Sequence, residues 1–493
     1  MDNKQLESER TNASGGDSLG RKNVRFFSHS TQLFKHHIPT EFILLGLIEL
    51  IALMASFYIG VELRLGDLVY RENYLATYSH SSVVFSLVMI ISLIAFGAYQ
   101  RQSRKSPTIL AVRIAGSFAL GLVILSATYY VAPLFFLGRG ALALAVLVGF
   151  VNIMGIRLIF AKITQTYDLR QRVLVLGAGN TAGLVKKEME AGNLDGLNII
   201  TCMPMPDDLG DNKGISMANT PGALVKFVAE KNIDVIVLAM DDRRKGLPTH
   251  ELLDCKMGGV LVVDLLTFFE RYTNKVRLDI MQPSWLFLSE GFMVNNFRKT
   301  WKRLFDISCV LLLTPVVTPL IVLSTLAILI ESRGRGSVFY SQRRVGENGR
   351  EFSIYKFRSM VVDAERDGVA RWADKGDSRI TRVGAVLRKF RFDEIPQLYN
   401  ILKGDMSFVG PRPERPEFVE RLSEVIPYYN ERHRVKPGLS GWAQVNYSYG
   451  ASHEDGLEKL QYDLYYVKNY SILLDLLVLL QTIEVVLLGR GSH

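Results

Sequence analysis

Asp393 and Glu394 stand side by side in Arg388-Lys-Phe-Arg-Phe-Asp-Glu-Ile-Pro-Gln-Leu-Tyr-Asn-Ile-Leu402, between a basic run and an amphipathic stretch. Ile395, Leu398, Tyr399 and Leu402 follow helical spacing, so one face of that stretch is apolar. Proline is tolerated in a first helical turn, so Pro396 places the helix start close to Asp393. Free N–H groups and partial positive charge at a helix N-terminus suit a phosphate. A carboxylate there stays ionised, ready to attack phosphorus or to hold a metal ion. On local sequence alone the commoner role for such an aspartate is helix capping. The surrounding chain shifts the weight toward catalysis, and the two roles are compatible: an aspartate at a helix N-terminus is both cap and activated nucleophile.

Basic clusters recur around the dyad. Gln342-Arg-Arg-Val-Gly-Glu-Asn-Gly349 reads as a hairpin with Asn-Gly in its turn. Lys356-Phe-Arg-Ser-Met360 continues an alternating strand, which puts Lys356 and Arg358 on one face. Arg379 and Arg382 follow in Asp377-Ser-Arg-Ile-Thr-Arg-Val-Gly384. Arg412 lies between two prolines in Gly404-Asp-Met-Ser-Phe-Val-Gly-Pro-Arg-Pro413, and a stiff mount suits bidentate phosphate binding. Any one of these arginines is more often a solvated charge or a structural ion pair. Several of them around one carboxylate pair point to a phosphorylated substrate, with Lys356, Arg358, Arg382 and Arg412 as candidate phosphate ligands.

The rest of the chain must place this module. Four apolar segments, near 42–60, 82–99, 109–133 and 139–160, each approach the ~20 residues that cross a bilayer. Arg21, Lys22, Arg25 and Lys35 precede them. Arg101, Arg104 and Lys105 join the second to the third, and Arg157, Lys162, Arg170 and Arg172 end the unit. The positive-inside rule puts both ends in the cytoplasm. Arg113 snorkels or faces the bundle, and no transport constellation of ionisable groups stands out, which leaves an anchoring role. A polar tail of about 35 residues precedes the spans; it reads as disordered and has no signal-peptide core.

Residues 171–270 alternate strand and helix, the pattern of a parallel, doubly wound sheet. Gly177-Ala-Gly-Asn-Thr-Ala182 follows a strand and opens a helix, yet no acidic residue stands where a ribose would be held. A Rossmann-like scaffold with tight-turn glycines and no dinucleotide is the favoured reading. Residues 271–300 form a connector with exposed aromatics, Trp285 among them. Ile307–Ile330 is 24 residues without a charge, but Pro315 and Pro319 interrupt it and basic residues flank both ends. Positive charge on both sides favours a re-entrant helix. Ile472–Leu488 carries Asp475, Gln481 and Glu484, so it reads as an interfacial or domain-packing helix.

The composition agrees. The 493 residues are 48% hydrophobic with net charge +9, and 331–391 holds 15 Lys/Arg against 8 Asp/Glu. Such a patch suits nucleic acid, anionic lipid or a phosphorylated substrate. Membrane segments on both sides of the patch and the lack of a binding motif argue against nucleic acid. Cys202, Cys255 and Cys309 show neither metal spacing nor a pairing pattern, as in a reducing compartment.

Residues 298–489 resemble the catalytic module of the bacterial sugar transferases, the polyisoprenyl-phosphate hexose-1-phosphate transferases. The resemblance rests on Lys356–Met360, Asp393-Glu-Ile-Pro-Gln-Leu398, Leu402–Pro413 and Arg434-Val-Lys-Pro-Gly-Leu-Ser-Gly-Trp-Ala-Gln-Val445. The four-span N-terminus, Leu265-Leu-Thr-Phe-Phe-Glu-Arg271 and Pro283-Ser-Trp285 are similar to the large, exopolysaccharide-type members, so the likeness covers nearly all of the chain past the tail. It implies a re-entrant helix broken at a Ser-Pro, here Thr314-Pro315. It implies that Asp393 attacks the sugar-bearing phosphate of a UDP-hexose, that UMP leaves, and that undecaprenyl phosphate takes the sugar phosphate from the aspartyl intermediate. Glu394 would hold Mg2+. Phe390-Arg-Phe392 departs from the family's commoner Thr-Ser-Leu, with the dyad intact.

The expected organisation is a membrane protein, α and α/β. It comprises a disordered tail (1–37), a four-helix transmembrane bundle (38–165), a Rossmann-like α/β domain (166–275), a connector (276–300), a re-entrant helix (301–332), an α/β catalytic domain (333–470) and a C-terminal amphipathic helix (471–493). The expected setting is the bacterial inner membrane, against membrane lipids, with the catalytic domain cytoplasmic and the protein a homodimer. Two rivals differ in class. A membrane-anchored NAD-dependent epimerase or dehydratase needs a Tyr-x-x-x-Lys pair that 171–270 lacks. A non-catalytic scaffold of polysaccharide export has no use for an intact dyad.

Overall fold

A computed structural model describes residues 30–33, 36–66, 78–99, 107–166, 170–194, 196–204, 222–241, 247–289, 291–292, 296–361, 377, 379–447 and 452–487. The expected disordered tail, apart from a ribbon pairing Ser30–Leu33 with His36–Pro39, lies outside these residues. So do Arg101, Arg104 and Lys105, and the last residues of the C-terminal helix. The chain divides into two compact units, one built on Leu158–Thr273, the other on Gly46–Arg157 and the residues from Asn274 onward.

The apolar segments form α1 (Thr40–Leu65), α2 (Ser79–Ala95), α3 (Pro107–Val131) and α4 (Arg139–Thr166). Among the described residues four helices are long and apolar enough to cross a membrane: 42–65, 108–131, 139–163 and 296–331. The second segment makes a 17-residue helix, shorter than expected. Leu53, Phe57, Phe85, Met89, Ile114 and Phe118 close the interior, while Leu47, Ile51, Val112, Val123 and Val151 face outward, as lipid contact would have it. Gly60 lets α1 approach α4, because a Cβ there would stand 2.4 Å from the Ala145 nitrogen.

The interior of these helices holds an ion pair that the sequence pattern does not reveal. Buried Glu49 pairs with Arg157 Nε at 2.6 Å and accepts from the Tyr99 hydroxyl. Arg113 is buried and donates to the Gly97 carbonyl at 2.6 Å, so it faces the bundle. Glu49 sits in an otherwise apolar helical run, and its partner lies 108 residues away, beyond the reach of local pattern.

The first unit carries β1 (Gln171–Leu176), α5 (Asn180–Glu190), β2 (Leu197–Met203), α6 (Ala223–Glu230), β3 (Val235–Leu238), α7 (Thr249–Met257), β4 (Leu261–Asp264) and α8 (Leu265–Thr273). The strands pair in parallel in the order β2-β1-β3-β4, as the strand–helix alternation predicts. Leu174, Leu176, Leu224, Val228, Ile236 and Leu252 form the core on one face.

In the second unit Trp285 is half-buried rather than exposed, with the Lys468 ammonium 4.2 Å over its ring. Next comes α9 (Asn296–Glu331), 36 residues with Pro315 and Pro319 inside. Thr314-Pro315 does not interrupt it. Each proline removes one N–H, and the preceding Thr314 and Thr318 hydroxyls donate to the carbonyls four residues back, Val310 and Thr314, at 2.8 Å. Both ends of α9 engage the following domain. Buried Asp306 accepts from the Ser407 hydroxyl and the Phe408 N–H, and Arg303 caps the Ile401 and Leu402 carbonyls. At the other end Ile328 packs with Phe357 and Leu387, and Glu331 accepts from Val383 N.

The hairpin forms as expected: β5 (Phe339–Val345) pairs antiparallel with β6 (Glu351–Phe357), and Asn348 (φ 55°) and Gly349 (φ 76°) turn the chain. Then follow α10 (Arg382–Lys389), α11 (Gln397–Lys403), β7 (Ser407–Val409), β8 (Gly438–Ser440), parallel to β7, α12 (His453–Asn469) and α13 (Ile472–Leu487). The last helix packs on α2 and on β7, the domain-packing one of the two roles its charges allow. Asp475 is fully buried and takes Lys302 of α9 at 2.6 Å.

Candidate active site

The dyad sits between two helices. Thr381 caps α10 through Gly384 N, and α10 ends at Phe390. Arg391 then adopts φ 59°, and Phe392–Glu394 make a 3₁₀ turn before Pro396 opens α11. Asp393 is therefore one turn ahead of the helix and caps nothing, so the capping role that local sequence favours is not the one it has. Phe392 and Ile395 pack on the Ile328–Phe357–Leu387 cluster and pin the turn. Asn400, fully buried, fixes α11 to β6: its amide donates to Ser353 O at 2.7 Å and accepts from Tyr355 N at 3.1 Å. This sets the dyad against Lys356.

Lys356 Nζ lies 2.8 Å from Glu394 Oε1 and 4.0 Å from Asp393 Oδ2. Arg412 Nη2 reaches the same Glu394 oxygen at 3.2 Å, and Arg391 Nη1 stands 3.7 Å from Oε2. Both carboxylates are buried. Three cations around Glu394 outweigh its burial and hold its pKa far below the usual range. Burial pushes the Asp393 pKa up; Lys356 opposes the shift and ionised Glu394 adds to it. The environment thus separates two neighbouring carboxyls, one locked as an anion, the other with a higher proton affinity.

The expected phosphate ligands divide. Lys356 and Arg412 converge on the dyad. Arg358 donates to the Arg335 carbonyl at 3.0 Å, and Arg382 is exposed in the first turn of α10. Arg379 pairs with Asp377. Arg391, directly beside the dyad, joins the site without having been singled out; only its place in the basic run could have flagged it. Among the described residues no three His, Cys, Asp or Glu side chains gather to hold a metal. Two adjacent carboxylates do fit Mg2+, which uses few protein oxygens and completes its shell with phosphate and water. An ion at Glu394 would exchange for the contacts of Lys356 and Arg412.

The glycine turn of the first unit has a different occupant. Asp241, just past β3, accepts from Asn180 N at 3.1 Å, from Thr181 N at 3.0 Å and from the Thr181 hydroxyl. Its carboxylate covers the start of α5, where a nucleotide phosphate would accept the same N–H groups. A Cβ on Gly179 would fall 2.1 Å from Asp241 Oδ2, and one on Gly177 2.2 Å from Ala239 O. The glycines admit the protein's own β3 segment.

Comparison with known proteins matches residues 297–489 to the bacterial sugar transferase model and 94–245 to a CoA-binding domain model. With Asp241 on the α5 N-terminus, the residues of that turn do not fit the phosphates of CoA. The chain is 40% identical over 259 residues to an Aeromonas hydrophila UDP-N-acetylgalactosamine-undecaprenyl-phosphate N-acetylgalactosaminephosphotransferase, covering 52% of this chain and 60% of the relative. It is 37% identical over 342 residues to a Salmonella typhimurium undecaprenyl-phosphate galactose phosphotransferase, covering 66% and 70%. It is 32% identical over 328 residues to a Xanthomonas campestris UDP-glucose:undecaprenyl-phosphate glucose-1-phosphate transferase, covering 65% and 67%. The chain thus spans 60% of the length of the first of these relatives.

Proposed function

The chain belongs to the bacterial sugar transferase family, and we propose that it transfers hexose 1-phosphate from a UDP-hexose to undecaprenyl phosphate, releasing UMP. The observation that carries this reading is the arrangement of Asp393 beside a Glu394 already neutralised by Lys356 and Arg412. The Asp393 carboxylate accepts no hydrogen bond among the described residues; its charged neighbour is Lys356 at 4.0 Å.

Asp393 attacks the phosphorus that bears the sugar. The new bond is Asp393 Oδ–P, the bond broken is the P–O bond to UMP, and UMP departs with that oxygen. A phosphate oxygen of the lipid then attacks the same phosphorus and expels Asp393. The product is a lipid diphosphate sugar, and the carboxylate is regenerated. Lys356 and Arg412 neutralise the phosphoryl oxygens, which phosphoryl transfer needs more than it needs an acid or a base. Glu394, with Asp393 beside it, would hold Mg2+, which supplies further charge neutralisation when bound.

The lipid acceptor gives the apolar helices their purpose. In our reading α9 is re-entrant, with a kink at Thr314-Pro315, which is supported by the contacts of both its ends with one domain. As a straight helix it would measure about 54 Å at 1.5 Å per residue, against a ~30 Å hydrocarbon core. The catalytic domain, near 333–470, then lies on the cytoplasmic face of the inner membrane and initiates an exopolysaccharide-type polymer, as a homodimer. The unit at 166–275 serves as a Rossmann-like scaffold. The relatives are named for glucose, galactose and N-acetylgalactosamine, and these define the donors to try.

The test is UMP release from UDP-glucose, UDP-galactose and UDP-N-acetylgalactosamine with Mg2+ and polyprenyl phosphate. Wild type releases UMP from at least one donor and Asp393→Asn does not. Release by the variant at near wild-type rate overturns the role of Asp393.

A further inference from the structure

Arg432 is buried and lies outside the dyad, yet it holds the loop that carries Arg412. Its Nη2 is 2.7 Å from Asp463 Oδ2 on α12 and donates to the Arg412 carbonyl oxygen at 3.1 Å. Its Nη1 donates to the Tyr429 hydroxyl at 2.6 Å. The next carbonyl along the loop, that of Pro413, accepts from Arg344 Nη1 at 3.1 Å. Pro411-Arg412-Pro413 is therefore pinned at two successive carbonyls from two sides, and φ is fixed at both prolines. From this mount the Arg412 guanidinium reaches Glu394 Oε1.

We propose that Arg432, oriented by Asp463 and Tyr429, is a positioning residue that holds Arg412 in place to bind the transferring phosphate. The inference rests on the reading of Arg412 as a phosphate ligand. A buried ion pair is weak evidence for stability, since apolar packing of similar volume often does as well or better. What apolar packing cannot do is join the Arg412 carbonyl and the Tyr429 hydroxyl at fixed angles beside the Asp463 carboxylate. A guanidinium fork does so, and a lysine ammonium, a compact point charge, does not.

The experiment is a double-mutant cycle on UMP release in the full-length protein, using Arg432→Lys, Arg412→Ala and both together, with thermal melting as the folding control. A displacement near 1 Å costs about 100-fold in rate, so Arg432→Lys should lose about that in kcat with a smaller change in KM. In the Arg412→Ala background the same substitution should cost little more, because its effect runs through Arg412. Additive losses with wild-type melting overturn the proposal. If Arg432→Lys does not fold, Asp463→Asn and Tyr429→Phe, which keep size and shape, take its place in the cycle with the same expectation. A wild type that releases no UMP from any donor overturns the functional reading instead; an active wild type with additive losses overturns this inference alone.

Discussion

Lys356 closes on Glu394 at 2.8 Å and stops 4.0 Å short of Asp393. One ammonium thus treats two adjacent carboxyls unequally. Glu394 gains an ion pair and a second cation from Arg412, while Asp393 keeps the cost of its burial. Neighbouring acids pushed apart in this way commonly have different tasks.

That division predicts different failures. Asp393→Asn removes the attacking oxygen, so exchange of labelled UMP into UDP-hexose without any lipid acceptor should be abolished. In the proposed mechanism Glu394→Gln keeps the attacker but weakens the site that would hold Mg2+. It should retain slow exchange that rises with Mg2+ concentration, while Asp393→Asn gains nothing from added metal. Equal, metal-insensitive loss in both variants would rule out the division.

The pH profile follows from the direction of the Asp393 shift. A nucleophilic carboxylate must be deprotonated, so activity is lost as pH falls through its folded-state pKa. Burial raises that pKa above the ordinary ~3.9 of aspartate, and the acid limb of kcat/KM should lie above that value. Lys356 is the largest influence lowering it, so Lys356→Met moves the limb to higher pH whatever the loss in amplitude. Glu394 raises it, so Glu394→Gln moves the limb the other way. Limbs that stay in place in both variants count against Asp393 as the titrating group.

Much of this was legible in local pattern. The strand–helix alternation of 171–270, the Asn348-Gly349 hairpin and the adjacency of the two carboxylates are short-range signals, and the structure keeps them; Lys356 and Arg412 reach Glu394 from 38 and 18 residues away and stood out only by their charge. What escaped depends on distant partners. Arg358 and Arg382 carry the same charge as Arg412 but are turned to Arg335 O and to solvent, which spacing cannot reveal. Glu49 finds Arg157 across the helices, and Asp241 finds Thr181 beyond the end of the neighbouring strand. Asp393 misled in a simpler way. Pro396 does open α11, but a 3₁₀ turn precedes it and carries the carboxylate clear of the helix.

Asp241 yields a prediction confined to the first unit. As the acceptor for the first N–H groups of α5 it acts as a cap from outside the helix. Asp241→Ala should cost about 1 kcal/mol, a typical capping loss, and leave UMP release unchanged. Gly177→Ala should cost more, because its Cβ meets the Ala239 carbonyl rather than a movable side chain and φ there is 128°. Melting of the purified protein measures both, and CoA or NAD added to wild type should not raise the melting temperature. A clear ligand-induced rise would show that Asp241 yields its place.

The last prediction concerns the buried pair that ties α9 to α13. Lys302 donates to Asp475 at 2.6 Å, to Val409 O at 2.9 Å and to the Tyr466 hydroxyl at 3.2 Å; Tyr466 in turn donates to Asp475 Oδ1 at 2.6 Å. Every charge here has a partner, and removing one strands the other away from water. Lys302→Met or Asp475→Leu alone should therefore destabilise by about 3–5 kcal/mol. The double variant replaces both charges with apolar groups of similar size and should recover most of the loss, because the Tyr466 hydroxyl still reaches the Val409 carbonyl at 3.0 Å. Denaturation in detergent checks the order: each single variant well below wild type, the double variant above both. A double variant as weak as the sum of the singles would mean that the two residues act separately and that the helices are held by something else.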